Sequence, residues 1–393
     1  MRKQPVQHDR YGRITMDKIV AYLDSLLDKS TPECPAWNIE KLNKPSKSKW
    51  NYIDGCMIKA VLEMYAITGV EKYLKFADDF IDYRVQEDGS IDGYDVNELN
   101  IDNINAGKTL FELYDLTGKE KYRKAIDLIF SQVEQMPRTA AGSFWHKKIY
   151  PYQVWLDGLY MCQPFYMEYE RRFHNGKKYD DIYRQFRTVR EHMRNTLNGL
   201  YYHACDFSRE AFWCDKVTGL SQCFWLRAIG WFAMAMLDTL DKADPDYRDG
   251  APYAELKAQY VDLMDSMVRY RHESGMWYQV VNLGGMEGNY LETSGSAIMA
   301  YSFLKGARLG FLPEEYVEMG KETFKGICGE YLTSDGNILH LGGICLVGGL
   351  GGPAKRDGSF AYYMSEPVVC DDAKGVGPFL LAYTELLRLG ENA

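Results

Sequence analysis

The chain is patterned as a succession of helix pairs. Met64-Tyr65-Ala66-Ile67-Thr68-Gly69-Val70-Glu71-Lys72-Tyr73-Leu74-Lys75 returns as Leu113-Tyr114-Asp115-Leu116-Thr117-Gly118-Lys119-Glu120-Lys121-Tyr122-Arg123-Lys124. Each copy reads as a helix closed by Thr-Gly, the glycine taking a left-handed cap, with a second helix starting at once. A looser version runs from Leu304 to Gly310, and Leu312-Pro313-Glu314-Glu315 opens the helix after it. A helix-turn-helix unit of about 50 residues is thus reused along the chain.

Apolar positions at helical spacing predict twelve helices, over 14–29, 50–68, 71–85, 103–117, 119–135, 152–172, 179–197, 223–240, 253–270, 291–308, 313–332 and 376–389. Their character alternates. Segments 71–85 and 119–135 carry a charged face, whereas 152–167 and 291–304 are apolar or small nearly all round. Amphipathic helices alternating with buried ones suit two concentric layers, an inner ring closed on itself and an outer ring facing water. The predicted fold is therefore all-α: an (α/α)6 barrel of about six helical hairpins with long loops on one rim, residues 1–393 forming one domain. An open solenoid would need repeats of more uniform length. The loops 137–148, 201–222, 274–290 and 338–367 hold many of the Trp, His and Arg residues, as functional loops on a rigid scaffold do. Segments 338–346 and 276–281 are expected to form short hairpins on that rim.

One ionisable residue stands out against this pattern. Asp157 lies in Tyr150-Pro151-Tyr152-Gln153-Val154-Trp155-Leu156-Asp157-Gly158-Leu159-Tyr160-Met161, which meets no charged residue until Glu168 and Glu170. Pro151 suits a first helical turn. A helix so apolar is buried, so Asp157 is expected to be half desolvated, which favours the acid over the carboxylate and suits a general acid. The alternative is a structural carboxylate bonded to backbone or to a tyrosine hydroxyl. The segment alone leaves both open.

Composition narrows the partners. No apolar run approaches the roughly 20 residues of a membrane span, so no membrane is expected. The start, Met1-Arg2-Lys3-Gln4-Pro5-Val6-Gln7-His8, lacks the apolar stretch of a signal peptide, which points to the cytoplasm, or to the periplasm had such a peptide been removed. A net charge of -9 spread along the chain argues against a nucleic-acid partner. The nine cysteines are scattered, several in apolar stretches, as buried thiols in a reducing compartment would be. His203, Cys205, Cys214 and Cys223 lack the close spacing of a zinc site. Gly348-Gly349-Leu350-Gly351-Gly352-Pro353 lacks the Gly-Lys-Ser/Thr ending of a phosphate loop and reads as a turn. Neither a metal nor another cofactor is expected. The excess lies in aromatics, 30 Tyr, 17 Phe and 8 Trp, many beside charged or amide residues, the mixture with which proteins hold sugars.

Candidate partners for Asp157 follow. His146 and Lys147 lie on the loop feeding its helix. Asp102 is either a site carboxylate or the N-cap of the next helix. Arg227 and Trp231 share a helix face at i and i+4. An arginine in so apolar a helix needs an anion, a buried Asp or, preferred here, the carboxylate of an acidic sugar.

At these residues the chain resembles the unsaturated rhamnogalacturonyl hydrolases of glycoside hydrolase family 105, related to the unsaturated glucuronyl hydrolases of family 88. The motifs are Asp102-Asn103-Ile104-Asn105, Phe144-Trp145-His146-Lys147, Trp155-Leu156-Asp157-Gly158-Leu159-Tyr160-Met161, Phe224-Trp225-Leu226-Arg227-Ala228-Ile229-Gly230-Trp231, Gly288-Asn289-Tyr290-Leu291-Glu292-Thr293-Ser294 and Arg356-Asp357-Gly358-Ser359. The likeness runs from Trp50-Asn51-Tyr52 to Ser365-Glu366-Pro367-Val368-Val369. It implies an (α/α)6 barrel and a small oligosaccharide substrate with a 4,5-unsaturated uronate at its non-reducing end. Asp157 would protonate C4 of the vinyl ether and then help water add at C5, with no glycosyl-enzyme, so the two-carboxylate spacing of ordinary glycosidases does not apply. Asp102 would lie beside Asp157, hold ring hydroxyls and help keep it protonated. His146, Lys147, Trp155, His203, Arg227 and Trp231 would surround the unsaturated sugar, with Trp50, Asn51 and Tyr52 as a binding segment. Cys205 stands where the family often has Trp, which puts the neighbouring subsite in doubt. Cleavage of other unsaturated uronyl oligosaccharides is the competing activity. A sugar epimerase on this barrel would want paired histidines. A non-catalytic helical scaffold would gain nothing from the cost of Asp157.

Overall fold

A computed structural model describes residues 16–42, 47–335 and 338–390. Twelve helices of ten residues or more run through these residues: α1 (Met16–Asp28), α2 (Tyr52–Thr68), α3 (Glu71–Asp82), α4 (Lys108–Thr117), α5 (Glu120–Gln135), α6 (Leu156–Tyr169), α7 (Tyr179–Met193), α8 (Leu226–Lys242), α9 (Ala251–Val268), α10 (Thr293–Arg308), α11 (Glu315–Tyr331) and α12 (Ala373–Arg388). The even-numbered helices form the inner ring. Each packs on the next, with the tight turns of Ile101–Gly107 filling in ahead of α4, and α12 returns to α2. The odd-numbered helices lie outside. The alternating pattern in the sequence is this alternation of layers.

Local chemistry explains both layers. α7 buries Ile182, Phe186, Val189 and Met193, one stripe at helical spacing, and turns Asp180, Arg184, Arg187 and Glu191 to solvent. In α10 every residue from Thr293 to Gly306 is buried. Inner helices meet closely because glycines sit at their contacts. A Cβ on Gly295 would collide with Leu226 of α8, and one on Gly377 of α12 would sit 2.8 Å from the Cys56 carbonyl oxygen of α2. The repeated Thr-Gly junctions behave as read. Gly69 and Gly118 take φ of 64° and 68°, and their N–H groups close on the carbonyls of Tyr65 and Tyr114. Pro164 interrupts α6. It has no N–H for the Tyr160 carbonyl four residues back, and Lys108 at the start of α4 donates its Nζ to that oxygen at 3.1 Å.

Three antiparallel ribbons decorate the loops: β1 (Gln153–Trp155) with β2 (Ala204–Asp206), β3 (Leu332–Asp335) with β4 (Ile338–Leu341), and β5 (Ile344–Cys345) with β6 (Val368–Val369). They correct three expectations. The helix predicted over 152–172 begins only at Leu156, because 153–155 pair with 204–206, and Pro151 lies in the turn before β1. Segment 338–346 is no hairpin. Its first part pairs back to β3 and its last part to β6. Segment 276–281 makes single bridges, Val280 to Trp225 and Tyr278 to Leu291. Glu168 and Glu170, which look water-facing in sequence, are buried. Burial works to raise the Glu168 acid, but Lys242 and Arg172, each at 2.6 Å, hold it down at about 2. Seven cysteines are buried as free thiols. No helix among the described residues is long and apolar enough to cross a membrane.

Candidate active site

The β1–β2 ribbon sets the position of Asp157. Trp155 pairs with Ala204 and, in extended conformation, precedes the first turn of α6, while the Leu156 N–H donates to the His203 carbonyl at 3.0 Å. Asp157 is thereby the second residue of α6, its side chain 15% exposed, with His203 Nε2 3.3 Å from its Oδ2. It opens into a cavity of about 780 Å³, counting the space at its mouth. The carboxyl expected to be half desolvated is largely buried, and it lines a space of ligand size.

Asp102 comes from the turns ahead of α4. It does not cap a helix; Asn100 does, accepting from the Asp102 N–H at 3.2 Å. The loop 146–147 runs alongside, joined by Ile101 N–H to the His146 carbonyl at 3.1 Å. Lys147 Nζ reaches Asp102 Oδ2 at 2.7 Å, and His146 Nε2 lies 3.6 Å from Oδ1. Burial works to raise the Asp102 carboxyl, but Lys147 and then His146 outweigh it and hold it below the usual carboxylate range. Asp102 thus stands in the site as an ion-paired carboxylate and not as the bare second charge expected beside Asp157.

His146 is buried and stacks on Trp155 at 4.5 Å with the planes 9° apart. Burial, opposed by Asp102, pushes its pKa down to about 4, so it is neutral at neutral pH. A Cβ on Gly158 would come within 2.9 Å of its Nδ1, which is why glycine follows Asp157. Tyr150 lies parallel to Trp155 at 5.4 Å, and both line the cavity.

Arg227 is the second residue of α8 and only 1% exposed. Its Nη1 donates to Ser294 Oγ at 3.2 Å and to the Cys345 carbonyl at 2.5 Å, and Trp225 lies 4.9 Å away. Among the described residues no carboxylate pairs with it. Buried Glu292 and Asp372 lie close enough to favour its charge, Glu292 being reached through Ser294, and the guanidinium also lines the cavity, where a ligand anion can meet it. Trp231, one turn on, stacks on Tyr160 at 4.8 Å and also lines the cavity, as does Tyr52.

Not every candidate converges. Trp50 and Asn51 do not line the cavity. The Trp50 indole donates to the Asn103 carbonyl at 2.8 Å, and Asn51 caps α2, accepting from the Asp54 N–H at 3.0 Å. His203 sits behind Asp157, out of the wall. Conversely, sequence reasoning passed over Glu40 and Tyr150, and held Trp225 and Arg356 only as letters of motifs. All four line the cavity. The glycine turn is a wall element too. A Cβ on Gly348 would lie 2.5 Å from the Trp225 ring, so the turn needs glycine for close approach.

The model of Glycosyl Hydrolase Family 88 matches residues 27–390. The chain belongs to the family 88/105 glycoside hydrolases. A solved family 105 glycoside hydrolase from C. acetobutylicum is 39% identical, covering 95% of this chain and 99% of its own, with a TM-score of 0.87. A protein of Agrobacterium fabrum, Atu3128, is 38% identical over 236 residues, 58% of this chain and 99% of its own length. The unsaturated rhamnogalacturonyl hydrolase YesR of Bacillus subtilis is 26% identical over 267 residues, 66% of this chain and 72% of its own. The unsaturated glucuronyl hydrolase of Bacillus sp. GL1 shares the fold at 16% identity, with a TM-score of 0.65 over 95% and 96% of the two chains. The enzyme is a glycoside hydrolase with the unsaturated glycuronyl or rhamnogalacturonyl hydrolase activity of its family, and its substrate is an oligosaccharide.

Proposed function

We propose that the enzyme removes the 4,5-unsaturated uronate from rhamnogalacturonan oligosaccharides cut by a lyase, the uronate being linked to rhamnose. The observation that supports this reading is a largely buried carboxyl, Asp157, opening into the cavity that also holds an arginine with no direct ion pair to a carboxylate among the described residues. Arg227 takes the uronate carboxylate, and Asp102 with Lys147 holds the ring hydroxyls. Asp157 donates its proton to C4, the C4=C5 electrons forming the new C–H bond and leaving an oxocarbenium ion shared by C5 and the ring oxygen. Asp157, now a carboxylate, takes a proton from the water that adds at C5. The hemiketal opens to the C5 ketone, and the hemiacetal left at C1 expels the remaining sugar. One residue serves as acid and then base because the proton it gives is replaced from water. The choice of rhamnogalacturonan is supported by the 39% identity to a family 105 enzyme and by the likeness to YesR. The buried free thiols fit a reducing compartment, the cytoplasm.

The test follows loss of alkene absorbance. Unsaturated galacturonyl-rhamnose should be consumed faster than unsaturated glucuronyl disaccharides, and Asp157→Asn should abolish turnover while the circular dichroism stays native. Near wild-type activity in that variant would refute the acid; preference for the glucuronyl substrates would refute the linkage.

A further inference from the structure

Behind Asp157 lies a pair of residues that proton donation to C4 leaves unused. His203 is fully buried, its Nδ1 2.7 Å from the Tyr363 hydroxyl and its Nε2 3.3 Å from Asp157 Oδ2. Tyr363 comes from the short helix Phe360–Ser365, 160 residues away along the chain, and is fully buried beside Trp225 at 5.7 Å. Asp157 Oδ2 and His203 Nε2 are both buried, and neither has an aligned hydrogen-bond partner. Two unsatisfied polar atoms thus face one another.

The histidine tautomer follows by elimination. Burial holds the Tyr363 hydroxyl well above the ordinary tyrosine pKa, so it keeps its hydrogen. His203 Nδ1 is the acceptor within its reach among the described residues. Were Nδ1 itself protonated, the hydroxyl hydrogen would lose that acceptor beside the Trp225 and Tyr362 rings, a cost that buried hydroxyls avoid. Tyr363 therefore donates, Nδ1 accepts, and the single ring proton sits on Nε2, the nitrogen 3.3 Å from Asp157 Oδ2.

We infer that Tyr363 is a positioning residue that locks His203 as the Nε2–H tautomer, so that a donor waits for the carboxylate that Asp157 becomes. The inference rests on the reading of Asp157 as the acid. As the O–H bond of Asp157 breaks toward C4, negative charge appears on its carboxyl group, and the 3.3 Å contact shortens and aligns, as catalytic hydrogen bonds do when charge develops. No proton leaves His203; the proton that restores Asp157 comes from the water adding at C5. The arrangement also divides the two oxygens. Oδ2 is buried against His203, which leaves Oδ1 to face the cavity and carry the transferred proton.

Nitrogen-15 spectra of the histidine-labelled resting enzyme read the tautomer directly, with the His203 signals assigned by their absence in His203→Gln. The expected result is a protonated Nε2 and a bare Nδ1 at His203; the opposite tautomer overturns the inference. Tyr363→Phe keeps the ring beside Trp225 and removes only the hydroxyl. It should lose the Nε2–H preference and lower kcat at least about tenfold, with KM within about twofold. An unchanged tautomer or unchanged kcat overturns the lock. Should wild-type enzyme turn over no unsaturated substrate, the proposed activity fails while the spectra still decide the tautomer.

Discussion

Arg227→Met separates what this arginine does for substrate from what it does for the fold. The guanidinium has five N–H donors. Nη1 engages Ser294 and the Cys345 carbonyl, which leaves donors for a ligand, and no carboxylate among the described residues is directly ion-paired with it, buried Glu292 being reached through Ser294. Truncating one partner of a buried charge pair costs about 2–5 kcal/mol, so kcat/KM on an unsaturated disaccharide should fall roughly 30- to 5000-fold. Stability should fall as well, by less than substrate turnover does. The variant strands the Cys345 carbonyl, at about 1–3 kcal/mol, and it removes a charge that the nearby buried Glu292 and Asp372 favour in spite of its burial. Ser294 loses little, because its hydroxyl still donates to Glu292 at 2.6 Å. The assay compares the free-acid substrate with its methyl ester, in wild type and variant, beside urea unfolding of both proteins. Wild type should discriminate strongly against the ester, and the variant should treat the two nearly alike. If the variant loses the same factor on acid and ester, Arg227 does not read the carboxylate and the substrate argument falls with it.

Two further outcomes concern the protein around the site. His146 has its pKa lowered from 6.5 to about 4, chiefly by burial, so between these values the unfolded chain takes a proton that the folded one refuses. Its contribution is fully present above pH 6.5 and is lost as pH falls toward 4, a swing of about 3 kcal/mol. His146→Asn should flatten the acid arm of the stability curve over that window, and parallel curves would refute the assignment. Asp102, held below its ordinary range, loses its contribution only at lower pH. For the Lys108–Pro164 pair, the coupling is the informative quantity. Lys108→Met strands the Tyr160 carbonyl but also removes an amine whose pKa burial pushes down to about 7. Pro164→Ala restores an N–H for that carbonyl, so a double-mutant cycle in urea should show rescue of about 1–3 kcal/mol. Additive effects would sink the idea that Lys108 stands in for the missing N–H.

The barrel was legible because its determinants are local. Thr68-Gly69 and Thr117-Gly118 specify their caps by φ alone, and most of the apolar stretches 152–167 and 291–304, from Leu156 and Thr293 on, falls on inner helices. The start of α6 was misread because Gln153–Trp155 answer to Ala204–Asp206, a pairing that helical periodicity cannot express. The site was legible where charge stood against its surroundings, as with Asp157 and Arg227. It was illegible where partners come from far away. Nothing near Asp102 announces that Lys147 neutralises it, nothing in 348–349 announces Trp225 beneath, and Tyr363 looks like any core tyrosine until His203 is placed against it. Trp50 and Asn51 show the converse. Their polar groups satisfy backbone and a helix cap, roles that a family motif does not distinguish from binding.

Closure of the ring has a consequence for how the enzyme comes into being. Glu40, on the cavity wall, is held by Lys374 of the last helix at 2.8 Å, 334 residues later in the chain. A ribosome that has released every residue with a part in the chemistry therefore still has not delivered a finished pocket, since α12 must emerge and slot against α2 before the wall is fixed. Until then the nascent protein exposes the apolar flanks of two inner helices, a long-range pairing that folds late and invites association meanwhile. Activity should appear only once α12 has emerged and docked against α2.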